Sequence, residues 1–402
     1  MPSHSDRTGS FASGPPDAVL EIALAWAGPA RRAVLLSGSH ATTEAVWIAW
    51  EGRRVSLSDV DLYVVLADES SCRAARARAR DARPTLAARL LDAGLAAPLE
   101  AAFLTAEGLT RLCARPGTLE LRRHGRVLEG EPSWLDRVPD HAPGDVTSEE
   151  ITLLLENRGF ELLAAHASLG RSPLDRWRAR HATLKVALDL ASVAALERGA
   201  WPDGAAARVE WARTHAARDG SATALWDAAL AWRREPTLLA SRSEAHDEWK
   251  RVVRAWCVAW RRRARAIAGS ATLDDFALSL ASASRSRFRS RVRQAIAFDT
   301  RGALGPSAWN RWRFAPAGTP QHRLNASAAI LLLAALEPGT PVDPRDAPFP
   351  REAALAPRAN AALARLGVIP AGGAAGWSAA AAMAVRAWDR WILDGQRSEE
   401  AR

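Results

Sequence analysis

Two acidic residues stand at the entrance of the strongest strand signal in the chain, DVDLYVVLA at residues 59–67. Its β-branched and aromatic residues suit a half-buried pleated surface. Such a strand needs sheet neighbours, and the sequence offers three: AVLLS at 33–37, APLEAAFL at 97–104 and TLELR at 118–122. Helical segments alternate with them. An opening helix spans 17–32, with Pro29 marking its end, and HATTEAVWIAW reads as a helix as far as Trp50. EGRRVSLS follows as a loop. A long Arg/Ala helix covers 69–94 with an interruption near Pro84, and a short one lies near Glu107 to Cys113. This order predicts an α/β layered domain with a small mixed sheet.

After Pro132 the texture changes. Thr147-x-x-Glu150 forms a capping box ahead of the apolar run Ile151 to Leu155. From there almost every segment has helical spacing, broken at Pro173, Pro202, Pro236 and in two later Pro-containing stretches. The fold class expected is therefore α+β (mixed α/β), a small-sheet N-terminal domain followed by all-helical C-terminal domains. The expected divisions are a disordered tail at 1–16, the α/β domain at 17–145, a helical domain at 146–235 and a basic, Arg/Trp-rich helical domain at 236–402. A length of 402 residues accommodates two or three domains.

Composition narrows the function classes. The chain is 48% hydrophobic and 25% charged, ordinary values for a folded globular protein. Its longest apolar candidate, Ala326 to Leu336, falls short of the roughly 18 to 20 residues of a membrane span and reads as a buried helix. The polar start, MPSHSDRTGSFASGPPD, lacks the basic and apolar regions of a signal peptide, so a cytoplasmic protein without membrane partners is expected. Cys72, Cys113 and Cys257 are widely spaced and suggest core fillers rather than a disulfide framework or a zinc site. Lys185 and Lys250 are the only lysines, so much of the high pI reflects a preference for Arg. The cationic surplus is nonetheless local: residues 242–313 hold 16 Lys/Arg against 6 Asp/Glu.

The chemistry-bearing string is LLSGSHATTEAVWIAWEGRRVSLSDVDLYVVL at 35–66. It sets Gly38-Ser39 at the end of one strand and Asp59 and Asp61 at the start of the next. Residues i and i+2 of a strand point to the same side, so the two carboxylates share one space, an arrangement that suits metal bridging. All-oxygen ligation points to two Mg²⁺ ions, or Mn²⁺ in their place. Gly38 lets phosphate approach the backbone, and amides of the helix expected to follow bind anions. Ser39 adds a hydroxyl donor, with helix N-capping as its other use. Glu100, inside the apolar run PLEAAFL, is the expected third acid because a carboxylate there is costly unless liganded; Glu120 is its rival.

Gly38-Ser39, then Asp59-x-Asp61, then a separate strand acid resembles the pattern of nucleotidyltransferases of the DNA polymerase beta superfamily. The resemblance covers about residues 30–135, including LRRHGRVLEG at 121–130, similar to the strand-and-turn ending of small members. Antibiotic adenylyltransferases likewise carry a helical domain behind this one. One departure is plain: 19 residues separate Ser39 from Asp59, about twice the usual spacing, and they are expected to lengthen the helix and loop around Trp47 to Arg54.

The resemblance implies an enzyme that moves a nucleoside monophosphate, AMP from ATP or its equivalent from another nucleoside triphosphate, to an acceptor hydroxyl. Asp59, Asp61 and Glu100 would hold the metals, and Gly38, Ser39, Ser58 and Lys185 would bind the nucleotide. The preferred acceptor is a small hydroxylated molecule. Transfer to RNA or protein is the alternative, and a non-catalytic nucleotide-binding protein of the same fold is a further one. WKRVVRAWCVAWRRRARAIAG and SRSRFRSRVR would attract an anionic partner such as RNA, although tryptophans spaced three and four apart more often form a core.

Overall fold

The structure is a computed structural model and describes residues 14–216, 220–268, 320–336 and 376–394. It is mixed α+β, with strands near the N-terminus and helices after them. Contacts divide it into two units, residues 1–147 with 233–236, and residues 148–232 with 237–402. Most of the expected tail, residues 1–13, lies outside the described residues.

In the first unit α1 (Asp17–Ala27) ends at Gly28, whose φ of 71° suits a residue without a Cβ and whose N–H meets Leu24 O. β1 (Arg31–Ser37) leads into the single turn α2 (Gly38–Ala41) and the hairpin β2 (Trp47–Trp50) and β3 (Arg53–Ser56). β4 (Val60–Leu66) is followed by α3 (Glu69–Asp81) and α4 (Arg83–Asp92), then β5 (Leu99–Thr105) and α5 (Ala106–Thr110). α6 (Pro116–His124) and β6 (Arg126–Glu129) close the unit.

The main sheet has the order β5-β4-β1-β6, with β4 and β5 parallel and β1 antiparallel to both β4 and β6. Strand parity sorts its side chains into two cores. Leu62, Val64 and Leu66 pack with Val19, Ile22 and Trp26 of α1 and Cys72 and Ala75 of α3. Leu35, Val65 and Leu104 pack on the opposite face with Leu109 of α5 and Leu121 of α6.

Four expectations require correction. Residues 40–50 form one helical turn and a strand, not a helix to Trp50, and EGRRVSLS contains β3 instead of being a loop. Glu51 and Gly52 have φ of 50° and 74°, the mirror-image turn whose twist matches paired strands, and this local geometry outweighs the helix-forming Ala and Glu upstream. TLELR lies in α6, where Pro116 at the first turn starts a helix; Leu119 and Leu121 are buried without being strand residues. The break at Pro84 separates α3 from α4 as expected. Cys72 and Cys257 are buried, but Cys113 is exposed and fills no core.

The second unit contains α7 (Ser148–Ser168), α8 (Pro173–Leu196), α9 (Gly204–His215), most of α10 (Gly220–Arg234), α11 (Arg242–Ala268), α12 (Pro320–Ala334) and α13 (Trp377–Asp394). The helices on either side of residue 236 are thus grouped together. Trp249, Trp256 and Trp260 of α11 are buried with Val252 and Val253. Two of the ring nitrogens meet backbone: Trp249 Nε1 donates to Leu162 O at 2.8 Å and Trp256 Nε1 to Leu155 O at 2.7 Å. Trp377 Nε1 donates to Leu331 O at 2.7 Å in the same manner. Glu156 of α7 is buried and accepts a hydrogen bond from Asn325 Nδ2 at 2.8 Å; burial pushes its carboxyl up to about 7, against the lowering effect of that bond.

Candidate active site

The sheet register brings three marked positions level. Ser37 on β1 pairs with Asp61 on β4, and Asp61 pairs with Glu100 on β5. Adjacent strands lie ~4.8 Å apart, and both acids belong to the parity class of Tyr63, Val65, Ala102 and Leu104, so they share a sheet face. Asp59 precedes β4 by one residue and is half-buried.

Gly38 follows Ser37 with φ +68°, and a Cβ built there would overlap the Asp61 carboxylate. Glycine is required at this bend twice over, by its backbone conformation and by the closeness of that carboxylate. The Ser39 hydroxyl is buried and has no hydrogen-bond partner among the described residues. A donor in that state costs ~1–3 kcal/mol, a cost that a ligand oxygen would relieve. The anion-binding helix expected after Gly38-Ser39 is reduced to the single turn Gly38–Ala41, so it contributes no extended dipole.

Directly behind the bend lies a buried polar knot. His40 is 0% exposed, and its Nε2 lies 3.1 Å from Ser56 Oγ and 3.3 Å from Ser58 O. Ser56 Oγ donates to Ser58 O and accepts from Ser58 N, each at 3.2 Å. Ser58 Oγ accepts the Val46 N–H at 2.9 Å. Burial lowers the basicity of His40, more than the Ser58 hydrogen bond and the Asp59 charge raise it. Ser58, expected to bind the nucleotide, is 2% exposed, and its hydroxyl is engaged with backbone. His40, which sequence reasoning missed, offered one signal, a polar residue immediately after Gly-Ser.

The remaining candidates separate. Glu100 is exposed on the edge strand β5, so the reason given for it, a costly buried carboxylate, does not hold. Its alignment with Asp61 is the firmer ground. Glu120 lies on α6. Lys185 sits on α8 of the second unit, with Nζ 3.9 Å from Glu161 Oε1. Arg158, another residue of that unit, is held by Glu161 and by Asp189 at 2.5 Å.

Among the described residues no three His, Cys, Asp or Glu side chains converge as a preformed metal cage. Paired carboxylates side by side on two strands do match the donor chemistry of Mg²⁺, which is usually held by one or two carboxylates together with phosphate oxygens and waters. Their oxygen-only character fits a hard cation and disfavours zinc.

The apolar stripe of α11 is core, as its tryptophan hydrogen bonds show. SRSRFRSRVR, at 284–293, lies outside the described residues. No helix among the described residues is long and apolar enough to cross a membrane. Comparison with protein-family models, with curated proteins and with solved structures finds no match for this chain.

Proposed function

We propose that the first unit is a metal-dependent nucleotidyltransferase that moves a nucleoside monophosphate, from ATP or another nucleoside triphosphate, to a hydroxyl of a small acceptor. The observation that carries this reading is the level alignment of Asp61 and Glu100 beside a bend that only Gly38 can occupy. Two carboxylates level on adjacent strands offer a hard cation oxygen donors from neighbouring positions.

The acceptor oxygen forms a bond to the α-phosphorus, the bond to the bridging oxygen breaks, and pyrophosphate departs with that electron pair. The acceptor proton passes to water. Divalent cations, when bound by Asp59, Asp61 and Glu100, would neutralise the triphosphate and favour the ionised acceptor. Gly38 leaves room for phosphate beside Asp61, and the Ser39 hydroxyl supplies a donor. The sheet holds these groups in fixed relation, so the rate gain would come from positioning and electrostatics and needs no covalent enzyme intermediate.

Incubation of the chain with each labelled nucleoside triphosphate, Mg²⁺ and a small-molecule extract tests the proposal. A product carrying the labelled nucleoside monophosphate, lost in Asp59→Asn and Asp61→Asn, is expected. Transfer unchanged in both variants removes the mechanism.

A further inference from the structure

The spacing between Ser39 and Asp59 exceeds that of the resembled pattern, and the structure shows what the extra residues build. They form the β2–β3 hairpin, whose last residue, Ser56, is tied to three separate pieces of chain. Its backbone N–H donates to Gly94 O at 2.9 Å, and its carbonyl accepts from Ala96 N at 2.8 Å. Its hydroxyl meets both the N–H and the carbonyl of Ser58, and it faces His40. Four residues after Ser56 the Val60 N–H donates to Pro98 O at 3.1 Å. The segment leading to Glu100 and the segment leading to Asp59 are therefore clamped together at Ser56, and His40 joins the Gly38-Ser39 bend to that clamp.

We infer that His40 is a positioning residue: held between Ser56 and the Ser58 carbonyl, its imidazole fixes residues 57–59 and so sets where Asp59 presents its carboxylate. This rests on the nucleotidyl-transfer reading of the site.

The tautomer follows from the partners. Ser58 O can only accept, so the Nε2 that faces it carries the proton, and Nδ1 is left as a buried lone pair with no hydrogen-bond partner among the described residues. A bare lone pair is the less costly of the two nitrogens to leave unmet, because an N–H there would be an unpaired buried donor. The imidazole and the Trp47 ring lie nearly perpendicular, at 84° with centroids 5.6 Å apart, and the Arg54 guanidinium lies 4.2 Å from the Trp47 ring centroid. The hairpin thus walls the imidazole in, and the ring has one orientation in which Nε2 reaches both serines. Partners that orient a ligand group from behind commonly change metal affinity or turnover about 10- to 100-fold when removed.

His40→Leu keeps the volume and removes the donor, His40→Gln returns an N–H near the Nε2 position, and Ser56→Ala takes away the shared hydroxyl. Each full-length variant is first checked for a cooperative thermal transition. Mn²⁺ affinity is then measured by electron paramagnetic resonance, beside kcat and KM for nucleotidyl transfer. His40→Leu should lower Mn²⁺ affinity and kcat about 10- to 100-fold, with KM for the triphosphate little changed. His40→Gln should recover most of both, a rescue that a merely space-filling histidine would not require. Should His40→Leu fail to fold, Ser56→Ala against His40→Gln decides in its place. Wild-type Mn²⁺ affinity and kcat in His40→Leu or, failing that, in Ser56→Ala overturn the inference and leave the proposed reaction standing. If the native chain transfers no nucleotide but its Mn²⁺ affinity still depends on His40, the reaction falls and the positioning role stands. Native protein that neither transfers nor binds Mn²⁺ overturns both.

Discussion

The carboxylate of Asp61 occupies the space in which a side chain at Gly38 would begin. Gly38→Ala must therefore move the acid or bend the chain, and it places a Cβ on a backbone of φ +68°. We expect a loss of about 1–3 kcal/mol in denaturant unfolding together with a fall in nucleotidyl transfer. An alanine variant with unchanged unfolding midpoint would contradict the packing described.

Asp61 and Glu100 face one another from adjacent parallel strands. Asp61→Asn keeps the shape of the side chain and removes its charge. With Mg²⁺ added, the native chain should gain stability and the variant should gain less. Calorimetry with and without Mg²⁺ checks this, and equal gains in the two proteins would exclude Asp61 as a ligand.

Gly159 lies in the middle of α7, where alanine is ordinarily the better helix former, yet a Cβ there would come within 2.9 Å of Trp256 Cζ2. The indole is held at that place by its hydrogen bond to Leu155 O. Gly159→Ala should destabilise the second unit by about 1–3 kcal/mol instead of stabilising it. Urea unfolding followed by tryptophan fluorescence reads the change, and a stabilised variant would show that the indole can give way.

Glu156 makes stability depend on pH in an unusual direction. Its carboxyl is raised from 4.5 to about 7 by burial, with a small further push from Glu149, so the folded chain holds a proton that the unfolded chain has released. Between those values stability falls as pH rises; below and above them this group contributes no slope. The full difference is on the order of 3 kcal/mol. Glu156→Gln keeps an acceptor for Asn325 and should abolish this slope. Unfolding free energies compared at about pH 5 and about pH 8 measure it, and parallel curves for the two proteins would show that Glu156 does not titrate in this way.

The sheet was legible where a segment carries its own signal. Val60 to Leu66 is rich in β-branched residues, and Leu99 to Thr105 alternates enough to be found. Segments whose state depends on a turn or a partner were not. Trp47 to Trp50 becomes a strand because Glu51-Gly52 folds it against Arg53 to Ser56, while Leu119 and Leu121 are buried on a helix that Pro116 begins. The site divides in the same way. Gly38 and Asp61 sit at strand ends, so their nearness follows from pairing two recognised strands. His40, Ser56 and Ser58 meet only through the hairpin, a tertiary arrangement that no local pattern announces.

The pairing of β4 with β5 carries a consequence for how this protein can change. Side chains on a strand alternate between faces, so sliding β5 by one position would carry Glu100 to the side of the sheet packed by α1 and α3 and put an alanine or leucine in its place. Single-residue deletions in the stretch between Gly94 and Pro98 are therefore a greater threat to the acidic pair than most point substitutions nearby. The fold would survive as a sheet of the same strands, with its chemistry turned inward.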